Sequence, residues 1–306
     1  MSTKSSLSWR GLVDRSTARL VVAGIERADV EARWIVEQAT GLDAAELLAS
    51  ANEPATGRGV VRVDELVDRR AAGEPLQYVL GSWSFGHFDL LVDRRVLIPR
   101  PETEVVAEVA VEAVVDLGAR RGAPEPWSAG RTEFAVADLG TGTGALALAL
   151  AAALPDAEVW ATDVSPDALA VARANLAGSG LPATRIRLAE GSWFDALPSG
   201  LRGTLRLVVS NPPYIAEHEV AALPDSVVGW EPRPALVSGP TGLEAIEAIV
   251  GAAPEWLEPS GVLVCELAPH QSGEVCDLAR AAGFGSVEVR RDLTGRDRMI
   301  VARRTG

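Results

Sequence analysis

An α/β fold with a largely parallel sheet, preceded by a small all-α bundle and a β-hairpin, is what this 306-residue sequence predicts. Three observations carry that expectation. From Phe134 onward, short apolar runs alternate with helix-period stretches, the pattern of a parallel sheet covered on both faces. Before Gly81 the apolar residues recur at helical spacing. Between the two regions lies a stretch that alternates and is rich in Gly and aromatics.

The helical region is read from Leu12, Leu20, Val21 and Ile25, then from Val30, Trp34, Ile35 and Ala39. Two shorter helices are predicted over 43–48 and 63–72, the second closed by Gly73. Tyr78, Val79 and Leu80, then Trp83, Phe85, Phe88, Leu90 and Val92, read as the hairpin. Pro99-Arg100-Pro101 breaks regularity, and 102–117 is an apolar-periodic helix whose first-turn acids suit the helix dipole. A Pro/Gly loop follows over 122–130. Strands are then predicted over 134–139, 158–162, 185–189, 205–210, 262–267, 286–290 and 299–302, with helices over 145–154, 166–177, 242–253 and 271–282. A short turn at Thr294-Gly295 predicts that the final strand runs antiparallel. The expected organisation is a helical domain over 1–81, a hairpin linker over 82–98 and a seven-stranded α/β domain over 99–306.

Bulk properties narrow the function. A hydrophobic content of 47% with 23% charged residues suits a soluble enzyme. Membrane spans need about 18 consecutive apolar residues, and no such run occurs. The polar N-terminus lacks a signal-peptide core, so a cytoplasmic protein is expected, and a monomer. A net charge of −13 with scattered arginines is poorly suited to neutralising phosphates, which argues against direct nucleic-acid binding. Cys265 and Cys276 are too few for a disulfide framework or a zinc cluster and read as buried, inert thiols. His87, His218 and His270 form no metal-ligand spacing, and no metal is expected.

Two motifs carry the chemistry. Asp138-Leu139 leads into Gly140-Thr141-Gly142-Thr143-Gly144, a glycine-rich loop between a strand and a helix. Asn211-Pro212-Pro213-Tyr214 closes a second apolar run, where two prolines remove two donors and fix two φ angles. That turn presents one carboxamide and one aromatic ring. No Gly-Lys-Ser/Thr follows the glycine loop, which argues against a Walker-type phosphate cradle, but Gly140, Gly142 and Ala145 also satisfy a permissive dinucleotide fingerprint. Asp163, ending the second strand, is placed to accept ribose hydroxyls in either reading, and Ser165-Pro166 starts the next helix. Trp193, after the third strand, is a candidate to stack on adenine.

The order of the two motifs favours S-adenosyl-L-methionine (AdoMet). The stretch between Asp163 and Asn211 leaves room for a helix, a strand, a second helix and a fourth strand, which sets Asn211 beside the glycine loop. An amide or adenine amino nitrogen is a poor nucleophile because its lone pair is delocalised. The Asn211 side-chain oxygen and the Pro212 carbonyl, accepting its two N–H groups, would localise that lone pair, with Tyr214 against the flat group. Positioning and electrostatics would then supply most of the rate.

The chain resembles the HemK/PrmC family, the peptide chain release factor glutamine methyltransferases, nearly from end to end. The resemblance rests on Ala72-Gly73-Glu74-Pro75-Leu76-Gln77-Tyr78, on Phe85 and Phe88, and on Leu97-Ile98-Pro99-Arg100-Pro101-Glu102-Thr103-Glu104. It continues through the glycine loop, Asp163-Val164-Ser165-Pro166, Trp193-Phe194 and Asn211-Pro212-Pro213-Tyr214-Ile215. It implies a Rossmann-like AdoMet-dependent domain and methylation of the glutamine in the Gly-Gly-Gln motif of release factors. It assigns Gly140, Thr141, Gly142, Thr143, Gly144, Asp163 and Trp193 to AdoMet, Pro212, Pro213 and Tyr214 to the substrate glutamine, and Asn211 to both. The helical domain would help recognise the release factor. Methylation of a ribosomal-protein glutamine, adenine amino-group methylation of DNA and a non-catalytic AdoMet-binding adaptor are the competing readings.

Three features are left with weaker assignments. Ser192 stands where family members often carry Asp, and Cys265-Glu266-Leu267-Ala268 departs from the usual Leu-Glu-Xaa-Gly, so Glu266 receives no role. Arg100 is expected to pair with Glu102 or Glu104, or to meet an acidic group on the partner. The long Pro/Gly-rich connection over 215–243 reads as a lid.

Overall fold

The computed structural model describes residues 7–120 and 133–306, so the predicted loop over 122–130 and the first residues lie outside the described part. The chain forms two compact units, residues 1–82 with 224–230, and residues 83–223 with 231–306.

The first unit is helical: α1 (Trp9–Val22), α2 (Ala28–Thr40), α3 (Ala44–Ala49), α4 (Gly57–Ala71) and α5 (Leu76–Leu80). Its core joins Leu12 and Leu20 of α1 to Ile35 and Val36 of α2 and to Val63 and Val67 of α4. Of the predicted line Val30, Trp34, Ile35 and Ala39, Ile35 is buried and Ala39 packs against the core, whereas Trp34 is 38% exposed; Ala28, Ala32 and Val36 complete the inward stripe of α2. The small alanines carry no periodic apolar signal, although they let α2 pack closely. Helix α4 begins earlier than predicted because the Thr56 hydroxyl caps it, accepting from the Gly59 amide at 3.1 Å. Gly59 hides that start in the sequence, yet it is needed, since a Cβ there would lie 2.8 Å from the Trp9 ring.

Tyr78, Val79 and Leu80 correct the hairpin prediction. They belong to the short helix α5, whose Leu76 and Val79 enter the helical core and whose end is set by Gly81 at φ +78°. Burial at i and i+3 outweighs the strand preference of these side chains. The hairpin itself is shorter, β1 (Ser82–Phe85) and β2 (Phe88–Leu91).

The second unit continues with α6 (Pro101–Arg120), β3 (Phe134–Leu139), α7 (Ala145–Ala153), β4 (Ala157–Asp163), α8 (Pro166–Ala177), β5 (Ile186–Glu190) and β6 (Leu205–Ser210). After β7 (Ile215–Ala216), α9 (Asp225–Val228) belongs to the helical unit. Then follow α10 (Arg233–Leu236), β8 (Val237–Gly239), α11 (Glu244–Trp256), β9 (Leu257–Glu266), α12 (Ser272–Ala281), β10 (Phe284–Arg291) and β11 (Asp297–Arg304). The connection over 215–243 is therefore not irregular. It contains a two-stranded parallel ladder, β7 with β8, and short helices.

Seven strands form one sheet in the order β10-β11-β9-β6-β3-β4-β5. Strands β9, β6, β3, β4 and β5 are parallel, while β11 is antiparallel to both neighbours, as the short turn at Thr294-Gly295 predicts. The central strands are buried on both faces. Val136, Leu207, Val209 and Val264 pack on one side with α6 and α7; Leu139, Val208, Leu263 and Ile300 pack on the other with α11 and α12. Helix α11 runs through Pro254, where the sequence reading stops it, because Trp256 is buried and stacks on Phe194 at 5.5 Å between ring centroids. Cys265 and Cys276 are buried free thiols, as expected.

Strand order reverses at the β3–β6 pair, with β4 and β5 on one side and β9 on the other. Ligands of open α/β sheets bind beyond the carboxyl ends of strands at that reversal. Leu139 and Ser210 end the two strands in register, and the Ser210 hydroxyl donates to the Leu139 carbonyl at 2.6 Å. The glycine loop and the Asn-Pro-Pro-Tyr turn thus leave the sheet side by side.

Candidate active site

The glycine loop is shaped by backbone demands. Gly140, Gly142 and Gly144 have φ of +74°, +55° and +83°, conformations that L side chains rarely adopt. Its carbonyls and amides are held from several directions. The Gly140 and Thr141 amides donate to the Thr162 carbonyl at 2.9 and 2.8 Å, and the Thr143 carbonyl accepts from Asn175 Nδ2 at 2.9 Å. Asn175 also pairs with both backbone groups of Leu91 in β2, which ties the hairpin to this loop.

Asp138 lies beneath the loop, fully buried. One oxygen accepts from the Thr141 hydroxyl at 2.6 Å and the Ala147 amide at 3.1 Å, whereas Oδ1 has no partner. Burial pushes its pKa up to about 7 against the pull of those two donors. Asp163 accepts from the Gly142 amide and the Ser165 amide, both at 2.9 Å, so it organises the loop and the start of α8 together. Burial raises its pKa, opposed by these amides. The Ser165 hydroxyl caps α8 as predicted, accepting from the Ala168 amide at 3.2 Å, with Pro166 at the first position.

A cavity of about 230 Å³ opens over this loop, lined by Gly140, Gly142, Asp163, Trp193, Asn211 and Pro213 among others. Six predicted site residues from four separate loops thus share one wall. Trp193 is held at φ +45°, and its indole fills the space where a Gly140 Cβ would sit, 3.3 Å away. Nothing lies within 4 Å of the corresponding position on Gly142, so a side chain there would enter open space beside the cavity. Thr141 and Thr143 are buried and face the protein, and Gly144 begins α7 rather than lining the cavity.

The cavity has a wall that the sequence reading did not anticipate. Val96, Leu97, Pro232, Pro234 and Ala235 contribute to it. Glu231 anchors that part: it is buried, accepts from the Ile98 amide at 3.4 Å and pairs with Arg100. Arg100 therefore meets Glu231, not Glu102 or Glu104. Burial raises the pKa of Glu231, and the Arg100 guanidinium opposes the shift. The repeated prolines mark this wall in the sequence, but its partner is far along the chain.

The Asn-Pro-Pro-Tyr turn is supported from behind. Asn211 Nδ2 donates to the Thr103 hydroxyl at 3.1 Å, and that hydroxyl donates to Glu266 Oε2 at 2.9 Å. Thr103 and Glu266 are both buried. Burial pushes the Glu266 pKa up to about 7, with the Thr103 hydroxyl, the Arg298 charge and the Tyr214 hydroxyl pulling it down. Tyr214 is pushed up to about 12 by burial and the Glu266 charge, so its phenol stays protonated and serves as a donor. Neither Thr103 nor Glu266 was picked out by the motif reading. Thr103 sits inside the Pro-Arg-Pro-Glu-Thr-Glu run, which was the available signal.

The arrangement suits a nucleoside cofactor: a side-chain-free cradle at Gly142, the Asp163 carboxylate and the Trp193 ring line one cavity. Among the described residues no cluster of His, Cys, Asp and Glu could hold a metal. No helix among them is long and apolar enough to cross a membrane.

Both regions of the chain match known proteins. The model of the PrmC N-terminal domain matches residues 12–81, and that of the methyltransferase small domain matches residues 128–226. A release factor glutamine methyltransferase of Deinococcus radiodurans is 40% identical, over 98% of this chain and all of its own length. One from Moorella thermoacetica is 39% identical over 97% of this chain and 99% of its own. The chain belongs to the release factor glutamine methyltransferase family. Among solved structures, the N-terminal domain of human METTL16 superposes with a TM-score of 0.52 at 18% identity, covering 78% of this chain and 84% of that one. At that identity the likeness concerns the fold, a Rossmann-like AdoMet-dependent methyltransferase domain, as the sequence predicts.

Proposed function

We propose that the protein transfers a methyl group from AdoMet to the side-chain amide nitrogen of the glutamine in the Gly-Gly-Gln motif of peptide chain release factors. One observation carries this reading: Asn211 and Pro213 of the substrate turn line the same cavity as Gly140, Gly142, Asp163 and Trp193. A planar amide held at the turn therefore has access to whatever the glycine loop holds.

Gly140, Gly142, Asp163, Trp193 and Asn211 would hold the cofactor, on a loop shaped by Thr141, Thr143 and Gly144; the cofactor would supply an electrophilic methyl on a sulfonium and leave as a neutral thioether. Asp163, ordered by the Gly142 and Ser165 amides, keeps lone pairs for ribose hydroxyls. Trp193, fixed by its backbone and by Gly140, presents a flat surface at the cavity wall. Asn211 Oδ1 and the Pro212 carbonyl accept the two N–H groups of the substrate amide, and Tyr214 packs against it. Localising the lone pair and fixing its direction replaces the need for a strong base before transfer. Once methylated, the nitrogen would be strongly acidic and would release one proton to solvent.

The parallel family match favours a release factor over the alternatives, and the net charge of −13 weighs against a DNA substrate. Mass spectrometry of release-factor peptides after incubation with enzyme and AdoMet tests the reading. One added methyl on the Gly-Gly-Gln peptide is expected; labelling of a ribosomal protein in its place would overturn it.

A further inference from the structure

We propose that Thr103 and Glu266 are positioning residues: they form a two-step relay that fixes which way the Asn211 carboxamide points, and so whether an acceptor or a donor faces the substrate amide. The inference deepens the methyltransfer reading and rests on it for its substrate.

Three elements meet here, the first turn of α6, the end of β9 and the turn after β6. An ionised carboxylate only accepts hydrogen bonds. Glu266 accepts a hydrogen bond from the Thr103 hydroxyl at 2.9 Å, which leaves the Thr103 oxygen as an acceptor. The only group of Asn211 able to donate to that acceptor is Nδ2, and it does so at 3.1 Å. Asn211 Oδ1 is thereby turned away from Thr103 and stays free to accept from the substrate. Glu266 and Thr103 are 1% and 4% exposed, so water does not compete for the link between them.

The relay has a polarity that protonation can reverse. A protonated Glu266 can donate to Thr103, which frees the Thr103 hydroxyl to donate onward to Asn211 Oδ1. Nδ2 would face the substrate amide, donor against donor. The groups facing Glu266 are Thr103 and Glu102 of α6, Arg298 of β11 and Tyr214 of the substrate turn, with the buried thiol of Cys265 beside it on β9. Arg298 favours the charged form, whereas burial and Glu102 oppose it. The balance places the reversal near neutral pH, with the competent orientation on the alkaline side.

The test uses the full chain, AdoMet and a Gly-Gly-Gln peptide, with Thr103→Val, Thr103→Ser and Glu266→Gln. Hydrogen bonds to a charged group are worth enough that Thr103→Val should lower kcat/KM for the peptide by about 10- to 100-fold. Its AdoMet affinity should stay within a few-fold of the parent, and Thr103→Ser should restore most of the rate. In the parent, kcat should rise through about pH 7. Glu266→Gln, which cannot ionise, should lose that rise. A readout independent of turnover is the Asn211 side-chain NH2 resonance of labelled enzyme without cofactor, which should titrate in the parent and not in Thr103→Val or Glu266→Gln. Parent-like kcat/KM in Thr103→Val, a rate lost together with AdoMet binding and unrescued by Ser, or an Asn211 resonance that does not titrate in the parent would overturn the relay. An enzyme that methylates no such peptide, yet shows the Asn211 titration, would overturn the substrate reading and leave the relay standing.

Discussion

Gln271 Nε2 donates to the backbone carbonyl of Tyr214 at 2.9 Å, which clamps the last residue of the substrate turn to the segment preceding α12. The same nitrogen reaches the Gly242 carbonyl at 3.1 Å, and Gln271 Oε1 accepts from the Ala268 amide at 3.0 Å. Gly242 is pressed into the clamp: a Cβ on it would lie 2.7 Å from the Tyr214 oxygen. Gln271→Leu keeps the volume and removes all three bonds. Each buried backbone group left unpaired costs about 1–3 kcal/mol, so losing the two buried bonds, to Gly242 and Ala268, should cost about 2–6 kcal/mol in chemical denaturation. The turn should shift with it, lowering kcat more than cofactor affinity. A variant of parent stability and kcat would mean that the turn is held by its prolines alone.

Asn211→Ala removes the acceptor assigned to the substrate amide while sparing the loop that holds the cofactor. Loss of a positioning group of this kind is expected to lower kcat by at least about 100-fold. AdoMet affinity, measured by calorimetry, should change only a few-fold, because Gly140, Gly142, Asp163 and Trp193 remain. Unchanged turnover would take Asn211 out of the mechanism.

Gly140 and Gly142 separate two kinds of glycine requirement. At Gly140 a methyl group meets the Trp193 ring at 3.3 Å; at Gly142 it meets nothing within 4 Å. Both sit at positive φ, which costs an alanine about 1–2 kcal/mol. Gly142→Ala should therefore lose only that amount of stability, yet weaken AdoMet binding by about tenfold or more by occupying the cavity wall. Gly140→Ala should in addition displace Trp193, visible as a change in tryptophan fluorescence. Equal fluorescence in the two variants would argue against the packing of Trp193 on Gly140.

Much of this site was legible in the sequence because strand ends announce themselves. Gly140 and Pro212 each stop an apolar run, and the alternation of strands and helices fixes which ends are neighbours. Asp163 and Ser165 were readable for the same reason, since capping chemistry is local. The supports behind them were not. Thr103 and Glu266, or Arg100 and Glu231, are far apart in the chain and paired only by the fold. Isolated polar residues carry no periodicity, so sequence reasoning assigned Glu266 nothing and gave Arg100 its nearest carboxylates. The helical errors have a similar origin. Tyr78-Val79-Leu80 favours a strand locally, and only burial against α2 and α4 makes it helical.

Asp138 should set a pH dependence of stability that its position makes separable from other groups. Its carboxyl is fully buried, with Oδ1 unpaired, and burial raises its pKa from 3.8 to about 7. The folded protein thus binds this proton more tightly than the unfolded chain. The resulting stabilisation is complete below pH 3.8 and is lost as pH rises through about 7. Asp138→Asn, neutral throughout, cannot show that loss. In denaturant titrations without cofactor, the stability of the parent relative to the variant should fall steadily between about pH 4 and 7, by up to about 4 kcal/mol. Parallel curves for the two proteins across that window would show that Asp138 is ionised in the fold, with its charge held by the Thr141 and Ala147 donors.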